Sequence, residues 1–419
     1  MRWLWNHVCL PSHPLNRHGV GAVGIALFAV FVGCASAPRV EKKTNSEYAF
    51  WPAFPAEPRV QFLVSYRLSS DIIPPRSGFQ RLVFGGKAEA LPINKPYGVE
   101  MWDGKIYVCD IRAASVVVLD LKQKETRVLI SRRLGGLSQP VDIAIAPDGT
   151  KYIADLHRGL IFVFDAKDRS TTAFGWSGLK PSGVAVAGDE LFVTDFTSQS
   201  VVVMDRYTGE KKRQIGEPGS EDGQFVMPLG VEVANNKLFT CDVIRCRVQE
   251  FTPTGVLQGA FGEIGDSAGM FVRPKQMGVD SDGIIYVVDA AFQNVQMFNK
   301  DGHILMFFGS AGTHPGSMNL PAGLCVHEGD LDLFTQYIHP AFDANRLILV
   351  TNQFGGNKVS VYAMGGLKKG YTVQDLAGTI APVAPGVKEE EGAASPTPQV
   401  PRPESPDEPA DDAQPGDLR

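Results

Sequence analysis

Histidine and cysteine are scarce in this chain, with eight and six among 419 residues. Zinc sites and covalent haem attachment are built from those two side chains, and no C-x-x-C-H motif occurs, so the chain attaches no c-type haem itself. A G-x-S-x-G nucleophile elbow and a Walker A loop are also missing. Basic charge is not in surplus. Forty Lys and Arg stand against 46 Asp and Glu, a net charge of −6, which excludes a general nucleic-acid binder with a strongly alkaline domain. Long apolar runs are confined to the first 33 residues. What the chain does have is a 44% hydrophobic content, enough for a full core, together with 44 glycines and 29 prolines.

The two ends differ from the middle. The run "GVGAVGIALFAVFVG", Gly19 to Gly33, follows Arg2 and Arg17 and reads as a signal peptide rather than a membrane span. Its end resembles a bacterial lipobox in which Cys34 is acylated, although Phe31 stands where Leu is usual. The alternative is an ordinary secretory signal cut near Ala35-Ser36-Ala37. Since Ala35 follows the cysteine, the resemblance implies an outer-membrane lipoprotein, with residues 34–57 as anchor and tether. At the other end, Lys388 to Arg419 holds nine acidic and three basic residues, is rich in proline and has almost no large apolar side chain. Such a segment cannot offset its ordering entropy by burial and is expected to be disordered. Residues 367–387 form a short extension before it.

Between the ends one unit recurs six times. It starts at Pro96, Pro140, Pro181, Pro228, Pro274 and Pro321, in "PYGVEM", "PVDIAI", "PSGVAV", "PLGVEV", "PKQMGV" and "PAGLCV". A period of 41 to 47 residues marks an array of supersecondary units, none able to bury its apolar face alone. Each unit holds a short strand, a turn, a second strand ending in Asp110, Asp155, Asp195, Asp242, Asp289 or Asn352, and a third strand such as "VVVLD". In most units a fourth then runs into glycine. Four short strands per unit predict a propeller blade. The connectors "GEPGSEDGQFVMP", "GEIGDSAGMFVRP" and "GSAGTHPGSMNLP" share one glycine pattern. They recur between strands, which argues for blade crossovers rather than phosphate cradles.

These residues resemble NHL repeats. The P-x-G-V start, the strand-terminal Asp, the V-x-V third strand and the glycine connector carry the resemblance, which implies a six-bladed β-propeller over residues 58–366. No G-H or W-D pairs occur, so WD40 repeats fit less well. The sixth unit lacks a fourth strand, and "PRVQFLVSYRL" from Pro58 is expected to supply it. Residues Ser70 to Lys95 are expected to include a short helix.

Candidate sites are less distinct. The repeated acids cap turns more naturally than they form a metal ring. Peptidyl-α-hydroxyglycine lyases, which are NHL-type propellers, place histidines from several blades around a metal; here His157 stands alone at the equivalent turns. Glu100 and Glu232 lie on inner strands among apolar residues and suggest no convincing set. No cofactor is therefore expected, with calcium or zinc as the alternative. The turns between second and third strands carry Arg112, His157, Arg158, Arg245, Arg247, Phe292, Gln293 and Asn294, a mixed population suited to a binding face. The sixth unit holds an insertion from His327 whose Phe334, Tyr337, His339 and Phe342 form a second candidate surface or, alternatively, a lid packed on the blade. A disulfide between Cys241 and Cys246 is an open option. The reading that follows is an envelope-anchored module that binds a protein or ligand, with envelope proteins as partners, the membrane reached through the lipid anchor, and no nucleic acid. The alternative is a metal-dependent lyase or lactone hydrolase acting at the channel.

Overall fold

The computed structural model describes residues 48–73 and 91–377. The apolar run, Cys34, most of the expected tether and the acidic tail lie outside the described residues. So does most of the stretch in which a helix is expected before Pro96.

All six prolines are the first residue of an inner strand. Proline needs no ladder partner for its missing N–H at a strand start, so it marks the entry to each blade. Blade 1 consists of Pro96–Trp102, Lys105–Asp110, Ser115–Asp120 and Glu125–Val128, joined as an antiparallel meander. Blades 2 to 5 repeat this order. The inner strands pack side by side, and the inner strand of blade 6 packs on that of blade 1, closing a six-bladed propeller.

Strand composition follows position in the wedge. Second and third strands are covered by neighbouring blades on both faces, so "SVVVLD" and "SVVVMD" are almost continuously buried. The fourth strands lie at the rim with one face in water, and Ile304–Phe308 accordingly alternates between half-buried and exposed positions before its buried Phe308.

Blade 6 is closed by the N-terminal segment, as expected. Val60–Tyr66 pairs antiparallel with Val359–Leu367 in the register Val60 to Met364 and Tyr66 to Val359. Leu63, fully buried, is on the scale of 1.5–3 kcal/mol of apolar burial. Ahead of that strand Phe50–Trp51 adds a fifth strand to the blade, and both rings enter the core. At the other end Leu376 is buried beside Phe334 and Phe342, so the extension begins as part of the fold.

The strand-terminal acids are turn caps. Asp242 accepts from the amides of Val226 and Met227 in the incoming connector and of Ile244 and Arg245 in the following turn, at 2.8–3.2 Å. Asp110 and Asp289 repeat the pattern, and Asp155 and Asp195 make most of it. Cys241 and Cys246 are free thiols. Cys246 sits in the turn itself, with its thiol directed at the carbonyls of Val243 and Val272.

The third residue of each inner strand is where neighbouring blades come closest. A Cβ on Gly230 would lie 2.6 Å from the carbonyl oxygen of Lys275, and one on Gly323 would overlap the carbonyl of Tyr97. Gly323→Ala is expected to lower stability by about 1–3 kcal/mol through forced separation of blades 6 and 1. Gly356→Ala, whose Cβ would meet nothing within 4 Å, should stay within about 0.5 kcal/mol. Urea unfolding of the two variants checks the difference.

Candidate functional site

Aligning the inner strands on their prolines turns the channel wall into rings. The third-residue ring is Gly98, Asp142, Gly183, Gly230, Gln276 and Gly323. Blades 2 and 5 depart from glycine, and they stand opposite each other in a ring of six. Their side chains meet across the axis, Gln276 Nε2 donating to Asp142 Oδ2 at 2.9 Å, with the Val184 amide donating to the same oxygen at 3.0 Å. This bar separates a narrow void bordered by Tyr97, Ser182 and Leu229 from a larger cavity of about 170 Å³.

The larger cavity is walled by the fifth-residue ring: Glu100, Ala144, Ala185, Glu232, Gly278 and Cys325. Small side chains on blades 2, 3 and 5 leave the space. Glu100 and Glu232 face it from the opposed blades 1 and 4. Both keep part of their surface open to the cavity yet lie deep inside the disc, where a charged carboxylate is poorly solvated. Burial pushes Glu100 up to about 7, against the hydrogen bond from the Cys325 thiol at 3.0 Å and that from the Met101 amide. Asp142 also rises to about 7 through burial, opposed by the amides of Val184 and Ile143 and by Gln276. Glu232 is raised well above the carboxylate range, by burial first and then by Glu100 and Asp142. The calcium or zinc alternative asks for converging ligands. Among the described residues no three of His, Cys, Asp and Glu are grouped to hold an ion, and the two glutamates enter from opposite walls.

The other mouth of the channel, on the face of connectors and second-to-third-strand turns, is basic. Lys95, Lys180 and Arg273 each precede an inner-strand proline, and Arg112 and Arg245 sit in adjoining turns. Lys275, one residue into its strand, is 8% exposed, and its ammonium lies 5.2 Å from the Tyr97 ring centre. Burial, then Arg273 and Lys95, lower it to about 8. Among the described residues none of these six cations has a salt-bridge partner. The buried turn caps beneath them are held by amides, and the connectors carry exposed Glu217, Glu221, Asp222, Glu263 and Asp266, none of which forms a salt bridge with these six cations. On the opposite face several cations are paired, Lys122 with Asp103, Arg206 with Asp148, Arg213 with Glu190 and Arg346 with Asp282. Exposed apolar side chains, Met227, Ile244, Val272 and Phe354, adjoin the basic mouth.

The expected binding face divides accordingly. Arg112, His157, Arg158 and Arg245 are exposed on it, His157 also bonding Ser138 Oγ and Arg158 the carbonyl of Leu134. Phe292, Gln293 and Asn294 are half-buried. Arg247 is a correction: it is buried, clamping the preceding connector through Asp222 Oδ1 and the carbonyls of Glu221 and Gln224. The insertion surface is corrected as well. Phe334, His339 and Phe342 are buried, and Tyr337 is half-buried. Gln61 of the closing strand bonds the Tyr337 carbonyl and the His339 amide, and Tyr48 packs edge-on to His339 at 4.9 Å. The insertion is the lid on the ring closure. Asp142, Gln276 and Lys275 were not anticipated, although the break in P-x-G at blades 2 and 5 is the signal that marks them.

The fold and its channel define a six-bladed β-propeller of four-stranded antiparallel blades. No family model matches the chain. Protein brain tumor of Drosophila melanogaster is 34% identical over 140 residues, which cover 31% of this chain and 12% of that protein's length. A Bacteroides thetaiotaomicron protein of unknown function, known from its crystal structure, superposes with a TM-score of 0.50 at 16% identity, over 73% of this chain and 75% of that one; it shares the fold. A Xanthomonas campestris gluconolactonase aligns with a TM-score of 0.46 at 14% identity, over 65% and 86% of the two chains.

The channel acids make stability depend on pH with a defined sign. Unfolded carboxyls titrate near 4, whereas folded Glu100 and Asp142 titrate at about 7. Between these values the fold holds protons that the unfolded chain has released. Stability is therefore greatest below about pH 4, as far as these groups decide it, and falls as pH rises to about 7. Unfolding free energies from urea titrations at pH 5 and pH 8 should differ by on the order of 5 kcal/mol more in the wild type than in the Glu100→Gln, Asp142→Asn double variant. Equal differences would place the slope elsewhere.

Proposed function

We propose that this protein is a binding module of the NHL type whose connector face takes an acidic, partly apolar segment of a protein partner. The observation that carries this reading is the set of salt-bridge-free cations around a nearly buried, carboxylate-free Lys275, next to exposed Met227, Ile244 and Phe354. A partly desolvated ammonium without a counter-ion is poorly stabilised, and an incoming carboxylate offsets that cost. The lipobox-like end at Cys34 supports an exported, outer-membrane-anchored form, with partners in the cell envelope.

A second reading, lyase or lactone-hydrolase chemistry in the channel, is favoured by the raised carboxyls. Glu100, protonated near neutrality, could serve as a general acid. However, the lining of the larger cavity offers no Lys, Arg or His to stabilise a developing oxyanion, so the binding reading stands first.

Fluorescence anisotropy with a labelled 20-residue Glu- and Asp-rich peptide tests the binding reading. The full chain should bind in low salt, with affinity falling as salt is added. Combined Arg112→Glu, Arg245→Glu and Arg273→Glu changes should weaken binding at least about tenfold, since each reversal removes an attraction and adds a repulsion. Unaltered affinity in this variant, or tighter binding of an oligoribonucleotide of equal length, overturns the reading.

A further inference from the structure

The chain carries its own acidic segment. From Lys388 onward it has nine carboxylates, three cations and seven prolines, and its net charge is −6. We infer that this C-terminal segment docks on the basic connector face of its own propeller and competes there with an external partner. The inference rests on the reading of that face given above.

Charge is the first support. Among the described residues the six cations Lys95, Arg112, Lys180, Arg245, Arg273 and Lys275 have no salt-bridge partner, while Lys122, Arg206, Arg213 and Arg346 on the opposite face are paired. A segment of charge −6 is opposite to them in sign. Lys275 adds a specific demand, being 8% exposed with the Tyr97 ring centre 5.2 Å from the ammonium and Arg273 and Lys95 opposing its charge.

Reach is the second. The described fold ends at Ala377, whose neighbour Leu376 belongs to the same buried apolar cluster as Phe334 and Phe342 of the blade 6 insertion. That insertion follows the inner strand, so it lies on the face opposite the connectors. Residues 378–387, "GTIAPVAPGV", contain no charge. Ten residues in an extended, proline-influenced conformation span about 31–33 Å. A blade strand of six residues is about 20 Å long, and its turns add to that. The uncharged stretch is thus long enough to climb the rim, and the acidic block starts at the level of the basic face. Proline-rich chain loses less conformational freedom on docking than an ordinary segment does.

Tethering makes weak contacts sufficient. A short flexible link holds the segment at an effective concentration on the order of mM, so surface ion pairs of modest strength keep it largely docked at low salt. An acidic partner then has to displace it, which sets a threshold on partner concentration and makes that threshold salt-dependent.

The test compares the full chain with a full-length variant whose nine carboxylates after Lys388 are changed to the corresponding amides. The probe is the same labelled acidic peptide. The amide variant is expected to bind it about tenfold more tightly than the wild type in low salt, with the difference lost in 1 M NaCl. In dilute monomeric wild type, a zero-length carbodiimide should join Lys95 or Lys180 to tail carboxylates within one chain. Equal peptide affinities for the two chains overturn the inference while leaving the face reading intact. Preferential cross-links to Lys105 and Lys122 on the opposite face overturn it as well. If neither chain binds the peptide, the face reading itself fails, and the inference goes with it.

Discussion

Six inner strands share one axis, and their spacing there is set by backbone rather than by side chains. At the third residue of four of these strands the neighbouring blade's main chain occupies the place of a Cβ: the Cα of Asp142 would lie 2.7 Å from a Cβ on Gly98, and the carbonyl of Lys275 2.6 Å from one on Gly230. Four blades satisfy this constraint with glycine. The other two, facing each other, carry Asp142 and Gln276, and their side chains turn into the axis and join. The closed throat, the cavity below it and the suppressed ionisation of its carboxyls all depend on that close approach. Wider spacing would admit water between the strands and solvate Glu100, Asp142 and Glu232.

The same geometry separates the two mouths. Below the bar, carboxyls from opposed blades share a poorly solvated space and hold their protons. Above it, six cations gather without salt bridges among the described residues, the strand-terminal acids beneath them being spent on backbone amides of the turns. On the opposite face several charges are paired locally, Arg213 with Glu190 and Arg346 with Asp282.

Much of the fold was legible in the sequence because each of its devices repeats. Prolines at strand starts, acids at strand ends and glycine connectors recur at one period, and the missing outer strand of the sixth unit pointed to Val60–Tyr66. The site was less legible, for a physical reason. Inner-strand side chains alternate between the channel and the inter-blade wedge, and Glu100 looks like an isolated acid until it is set in one ring with Glu232 and Cys325. Asp142 and Gln276 become visible only as departures from glycine. Arg247 read as a surface cation because nothing local shows that the connector folds back onto it. The aromatics of the blade 6 insertion read as a surface because their partners, Tyr48, Phe50 and Gln61, lie nearly 300 positions away.

That distance also governs how the molecule is made. The closing ladder joins Val60–Tyr66 to Val359–Leu367, residues about 300 apart, so it cannot form until nearly the whole propeller has been synthesised. Closing so large a loop is entropically costly, and folds dominated by non-local pairings assemble slowly. Until then an apolar strand with unpaired edges waits at the head of the chain, beside Phe50 and Trp51, while five blades complete themselves by local pairing. The period of greatest exposure to misassociation is therefore the interval between the fifth blade and the sixth, and it falls on the residues nearest the N-terminus.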